Sequence, residues 1–188
     1  MCETAGKRQM EGRPPCRPEQ EADGTEAVPP GRLPQRSRPA HPPVVPRGNR
    51  SIIVFVTVCT DARKPILAQA SVHSWLRQVW AGATAWSVGR YILMPDHVHF
   101  FCAPAMAEYP SLKKWTAYWK SIAAARWPHP EDGKVWERDC WDTQLRRDES
   151  YAEKWAYVRN NPVRAGLVAA PDDWPFQGEM KVLRWHDV

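Results

Sequence analysis

The run Tyr91-Ile-Leu-Met-Pro-Asp-His97-Val-His99-Phe-Phe-Cys102 constrains the chain most, because it reads only as a strand, a tight turn and a second strand. Pro95 cannot donate to a ladder and Asp96 is a turn former, while the apolar flanks suit extended backbone. The turn falls at Met94 to Asp96. Side chains alternate across a strand, so His97, His99 and Phe101 share one face and Val98, Phe100 and Cys102 share the other. The two imidazoles then sit about 7 Å apart along the strand. Histidines at i and i+2 either close on one metal ion or are simply packed or solvent-facing, and the spacing alone does not separate the two.

The rest of the chain supplies the surroundings. Residues 1–48 hold 10 of the 19 prolines and few apolar residues, a composition that cannot bury enough surface to offset its ordering entropy. A disordered tail is expected there, followed by one domain over 49–188. Ser51 to Thr60 is β-branched and almost wholly apolar, as a central strand requires. Val72, Trp75, Leu76, Val79 and Trp80 recur with helical period, and Gly82 stops that helix. Leu112, Trp115, Trp119, Ile122 and Ala123 make a second apolar stripe over Ser111 to Trp127, ended by Pro128. The order strand, helix, strand, strand, helix is that of a ferredoxin-like split βαβ, an α+β fold with an antiparallel sheet. A last strand is expected near Val135 to Trp141, where the alternation is not clean.

Ser150-Tyr-Ala-Glu153 fits a capping box that opens a helix from Tyr151 to about Asn160. Pro162 is expected to stop it by disfavouring helical geometry at Asn161. Tyr151, Trp155 and Val158 form the apolar stripe of this helix. Tyr157 and Asn161 lie about 100° round from it, one turn apart. Tyr157 is thus placed either to present its hydroxyl to a site or to pack at the surface.

Met-Pro-Asp-His97-Val-His99-Phe, followed downstream by Tyr157-Val-Arg-Asn-Asn161-Pro-Val-Arg-Ala-Gly166-Leu-Val, resembles one family, the single-tyrosine HUH transposases, and within it the REP-associated tyrosine transposases. The resemblance runs from about Asn49 to Trp185. It implies an HUH motif on a central strand, a C-terminal helix carrying the catalytic Tyr157, and Mg²⁺ or Mn²⁺ held by His97 and His99. The family's third ligand lies one turn after the tyrosine, at Asn161 here; an Asn before Pro is also an ordinary helix terminator. The activity implied is metal-dependent cutting and rejoining of single-stranded hairpin DNA through a 5′-phosphotyrosine, by a monomer or homodimer in the cytoplasm near the nucleoid. Lys113, Lys114, Lys120, Arg146, Arg147 and Arg164 are the candidate DNA contacts, each otherwise a solvated charge. Where many members carry an aromatic-Trp-Asp/Glu-His segment, this chain has Cys140-Trp141-Asp142-Thr143, a departure that leaves the metal and nucleophile positions untouched.

Composition sets the outer limits. A formal charge of +5 and a pI near 9.1 suit an anionic partner without requiring one. The five cysteines lack CxxC spacing, which argues against a zinc site or a disulfide framework. No run of 18 apolar residues and no apolar leader are present, so neither a membrane span nor a signal peptide is expected. A hairpin-binding protein that has lost its chemistry is the alternative reading, against which intact His97, His99 and Tyr157 argue. An RNA-binding module of the same fold calls for exposed aromatics where this strand carries imidazoles. Both histidines lie off the apolar face, so their replacement by alanine is expected to spare the fold.

Overall fold

The structure, a computed structural model, describes residues 52–145 and 151–184. The tail over 1–48, Arg146, Arg147 and Ser150 of the capping box lie outside the described residues. The β-branched run Val54–Cys59 forms β1, with all six residues buried. It is followed by α1 (Ala70–Gly82), β2 (Trp86–Leu93), β3 (His97–Pro104), α2 (Leu112–Ala125) and β4 (Trp141–Gln144). Then come α3 (Tyr151–Arg159), a single turn α4 (Asn161–Arg164) and the short β5 (Gln177–Glu179). Every pairing is antiparallel, in the order β4-β1-β3-β2-β5. The first four strands reproduce the expected split βαβ order, and β5 adds an edge. That edge needs Gly178, since a Cβ there would stand 2.9 Å from Tyr91 Oη.

The two faces of the sheet carry two different cores. On one, Val98, Phe100 and Cys102 of β3 meet the apolar stripes of α1 and α2, including Leu76, Trp80, Trp115 and Trp119. Tryptophans dominate this side, with Trp80, Trp115 and Trp136 packed edge-on to Trp119 at 5.5 to 6.4 Å. On the other, Phe55 and Phe101 meet Tyr151 and Val158 of α3. Seven of the ten tryptophans among the described residues are buried, which removes them as platforms for unpaired bases.

Two expectations about backbone are corrected. The last strand begins at Trp141, and Val135 to Cys140 is irregular except for a bridge between Trp136 and Thr60. The cause is Lys120, whose ammonium donates to the carbonyls of Glu137, Arg138 and Asp139 at 2.6, 3.2 and 3.4 Å. Those carbonyls turn toward a buried cation instead of a strand partner, while Val135, Trp136 and Cys140 plug the tryptophan core. α3 ends at Arg159, close to the expected stop, but Asn161 is itself helical, so Pro162 does not act by excluding helical backbone there. Asn161 opens α4 with Pro162 behind it, where a missing N–H is no loss because the first amides of a helix have no internal partner. The path stops at Gly166, whose φ of 68° allows Leu167 and Gly166 amides to bond Pro162 and Val163 carbonyls at 2.8 and 2.9 Å.

The join between α3 and the sheet rests on a bulge in β2 between Val88 and Tyr91, where Gly89 and Arg90 stand opposite one β3 residue. The freed Arg90 amide donates to Tyr151 Oη at 3.3 Å, and the Tyr151 ring packs edge-on to Phe101 at 4.9 Å. Tyr151→Ala should therefore cost about 3 kcal/mol or more in denaturant unfolding, whereas Tyr151→Phe, which only orphans the Arg90 amide, should cost about 1 kcal/mol. Lys120→Met should destabilise the fold by about 2 kcal/mol in the same assay.

Candidate metal and nucleophile site

The β1–β3 register sets the site. Thr57 pairs with His99 and Cys59 with His97, so Thr57 and both imidazoles rise from the face that α3 covers. The rings lean together, with centroids 4.6 Å apart and Nε2 atoms only 3.0 Å apart. Each Nδ1 is engaged elsewhere: His97 Nδ1 lies 2.8 Å from Asp96 Oδ1, and His99 Nδ1 lies 2.7 Å from Thr57 Oγ1. Both Nε2 atoms thus face a common point while the far side of each ring is pinned.

Asp96 is fixed in its turn by Arg63, whose Nε stands 3.0 Å from Asp96 Oδ2. Arg63 and Ala62 adopt φ of 58° and 52°. Left-handed backbone at two residues with a Cβ costs on the order of 1 kcal/mol each. The tight turn after β1 is closed by Thr60, whose hydroxyl lies 2.8 Å from the Lys64 carbonyl and 2.9 Å from the Asp96 carbonyl.

Burial and charge shape these groups. His99 is 6% exposed and stacked on Phe55 at 5.3 Å. Its burial, reinforced by His97, Arg63 and Arg164, holds its pKa well below the ordinary imidazole value. A neutral ring with a free lone pair is what a cation needs. Burial alone would raise Asp96, but the hydrogen bond with His97 and the charges of His97 and Arg63 outweigh it and keep the carboxyl below its usual range. The expectation that both alanine variants spare the fold is corrected for His99, which is part of the packed interior.

Tyr157 projects from α3 at the margin of the second core, half-buried. Arg164 Cζ lies 4.1 Å from its ring centroid and Lys154 Nζ lies 5.9 Å from it. The same Lys154 is 6.0 Å from the Phe55 ring that stacks on His99. Arg164 also donates to the Tyr157 carbonyl at 3.2 Å and to Asn161 Oδ1. Tyr157, Asn161 and Arg164 are therefore bound to one another, on the face that carries the histidines.

Two ligands at right angles, each about 2.1 Å from an ion, stand about 3.0 Å apart. The Nε2 separation of 3.0 Å matches that distance, and is equally that of an Nε2–H···Nε2 hydrogen bond between the rings. Among the described residues no cluster of three His, Cys, Asp or Glu side chains suits a metal. A pair of imidazoles with any further donor drawn from outside those four residue types is consistent with that result. The donor set fits a divalent cation.

The three candidate lysines are not brought to this site. Lys113, Lys114 and Lys120 ride on α2, which covers the opposite face of the sheet. Lys120 is buried against carbonyls, and burial lowers its pKa although Cys140, Asp139 and Glu137 act the other way. Its reading as a phosphate contact is corrected to a clamp on the segment before β4. Lys113 stands 3.5 Å from Asp139. The groups sequence reasoning missed are Thr57, Asp96, Arg63 and Lys154. Asp96 next to His97 was the one signal available for any of them.

Among the described residues no helix is long and apolar enough to cross a membrane. No family model matches the chain. The REP-associated tyrosine transposase of Escherichia coli K12 is 26% identical over 90 residues, 47% of this chain and 52% of its own length. A Haemophilus influenzae protein that carries the same name provisionally is 27% identical over 97 residues, 45% of this chain and 53% of its own. The chain spans about half the length of the curated relatives it matches. A solved structure of a REP-associated tyrosine transposase bound to a REP hairpin superposes with a TM-score of 0.55 at 20% identity, over 68% of this chain and 76% of that one. In sequence the chain resembles the REP-associated tyrosine transposases over about half their length, and in fold it matches one of them.

Proposed function

We propose that the protein is a metal-dependent endonuclease and strand transferase acting on single-stranded hairpin DNA, with Tyr157 as the nucleophile. One observation carries the reading. Two Nε2 atoms converge at 3.0 Å, with both Nδ1 atoms engaged, on the sheet face that also holds Tyr157 beside two cations. His97 and His99 would hold Mg²⁺ or Mn²⁺, with Asn161 as the oxygen donor. The bound ion supplies Lewis acidity that neutralises charge on the scissile phosphate.

The chain's own residues do the rest. Tyr157 Oη attacks the phosphorus, the bond to phosphorus from the 3′-oxygen breaks, and a 5′-phosphotyrosine and a free 3′-hydroxyl result. The phenolic proton leaves Tyr157 and a proton is taken up by the departing 3′-oxygen. Attack of a 3′-hydroxyl reverses the step, so bond energy is conserved and no nucleotide cofactor is required. A phenol is a weak nucleophile at its ordinary pKa of about 10. Lys154 and Arg164 place positive charge within 5.9 and 4.1 Å of the Tyr157 ring centroid, where it favours phenolate and phosphate charge, and Arg164 holds Tyr157 by ring and carbonyl. The hairpin in the related solved complex is the model substrate. On this reading the protein would work in the cytoplasm beside the nucleoid, where such DNA lies.

Tyr157→Phe removes one oxygen from a half-buried ring and should leave unfolding and hairpin binding unchanged while abolishing cleavage of a labelled REP-type hairpin in Mn²⁺. Mass spectrometry of the trapped wild-type complex should place the 5′-phosphate on the peptide containing Tyr157. An adduct on Tyr151, Tyr118 or Tyr91, or full cleavage by Tyr157→Phe, would overturn the reading. His97→Ala should abolish cleavage with little loss of stability. His99→Ala should abolish it and also lower stability by about 2 kcal/mol, because a buried ring is lost from between Phe55 and Thr57.

A further inference from the structure

The hydrogen bonds behind the two imidazoles point to residues that act on the site without touching the substrate. We propose that Asp96 and Thr57 are positioning residues: Asp96 holds His97 as its Nδ1–H tautomer, and Thr57, whose hydroxyl can donate to or accept from His99 Nδ1, pins that ring so that both Nε2 lone pairs can be turned to one cation. The metal half of this proposal rests on the functional reading above; the His97 tautomer stands by itself.

The argument starts from what a neutral imidazole offers, one N–H and one lone pair, with the partner of either nitrogen deciding which is which. Beside His97 Nδ1 stands a carboxylate oxygen at 2.8 Å, which accepts and cannot donate, so Nδ1 must carry the proton. Asp96 cannot turn away, because its second oxygen is held by Arg63 at 3.0 Å and its carbonyl accepts from the Thr60 amide at 3.0 Å and the Thr60 hydroxyl at 2.9 Å. Thr57 Oγ1 stands 2.7 Å from His99 Nδ1, on a strand residue 1% exposed. His99 is closed in by Phe55 on one ring face, so its ring has no second orientation that keeps both the stacking and the Thr57 bond. The two bonds reach the rings from different elements, a turn residue next in sequence and a strand residue 42 positions away. They converge on one outcome, which is the Nε2 separation of 3.0 Å. Partners of this kind orient ligating histidines and change metal affinity by roughly 10- to 100-fold when removed.

The test uses the full chain with Thr57→Val, which keeps the shape and removes the hydroxyl, Thr57→Ser, which restores it, and Asp96→Ala. Circular dichroism confirms folding of each. Mn²⁺ binding by calorimetry should weaken roughly 10- to 100-fold in Thr57→Val and in Asp96→Ala, and return to near wild type in Thr57→Ser. Nitrogen-15 spectra of the metal-free wild type, taken well above the ordinary imidazole pKa, should show a proton on Nδ1 of His97, with that preference lost in Asp96→Ala. An unprotonated Nδ1 on His97 of the wild type, or wild-type Mn²⁺ affinity in both variants, overturns the proposal. Wild-type protein that shows the His97 Nδ1 proton and yet takes up no Mn²⁺ overturns the metal reading instead, and leaves the His97 tautomer assignment supported. If Asp96→Ala fails to fold, Thr57→Val and its serine rescue decide the matter alone.

Discussion

Everything at the site depends on the register between β1 and β3. Because the side-chain period of a strand is two, a slip of one residue would turn His97 and His99 into the tryptophan core and bring Val98 and Phe100 out beneath α3. The register is fixed at the turn end, where the Thr60 amide bonds the Asp96 carbonyl at 3.0 Å and the Leu67 amide bonds the Pro95 carbonyl at 2.9 Å. Pro95 and Asp96 therefore do more than reverse the chain. They tie the turn to the end of β1, and the same tie brings the Asp96 carboxylate behind His97.

The unequal cores on the two faces suit this arrangement. The face toward α1 and α2 is filled by large rings, some of which donate to fixed carbonyls, such as Trp115 to Ala83 at 2.8 Å and Trp86 to Pro110 at 3.0 Å. That packing makes the sheet a rigid base, since close-packed interiors shift little when loaded from one side. The face toward α3 is a smaller cluster that grades into the polar site, with Phe55 touching both. Helix α3 docks at the edge of that cluster through Tyr151 and Val158, while Tyr157 is left half-buried at its margin.

Legibility in the sequence followed physical range. The face-sharing of His97 and His99 was readable because it depends only on local alternation, and the displacement of Tyr157 from the α3 stripe because it depends only on helical angle. The convergence of the rings was not readable. It needs Thr57, 42 residues away, to stand opposite His99, and pairing across strands leaves no local trace. Lys120 read as a surface charge because its neighbours at helical spacing do not reveal that carbonyls from residues 137–139 wrap onto it. That contact also explains why the stretch before β4 lacked alternation. Strand β5 escaped notice because three residues, one of them glycine, carry too little pattern to register against a period of two.

The burial of His99 shows how the parts constrain one another. A ring enclosed by Phe55 and bonded to Thr57 is poorly suited to charge and well suited to offering a lone pair, and the positive charges of Arg63 and Arg164 push the same way. The central claim is that two such lone pairs define a cation site beside Tyr157. Anomalous diffraction from crystals grown with Mn²⁺ tests it most directly: the account predicts one strong peak within about 2.2 Å of both Nε2 atoms, on the side of the sheet that carries α3, and the absence of that peak, or a peak bound to only one of the two rings, would contradict it.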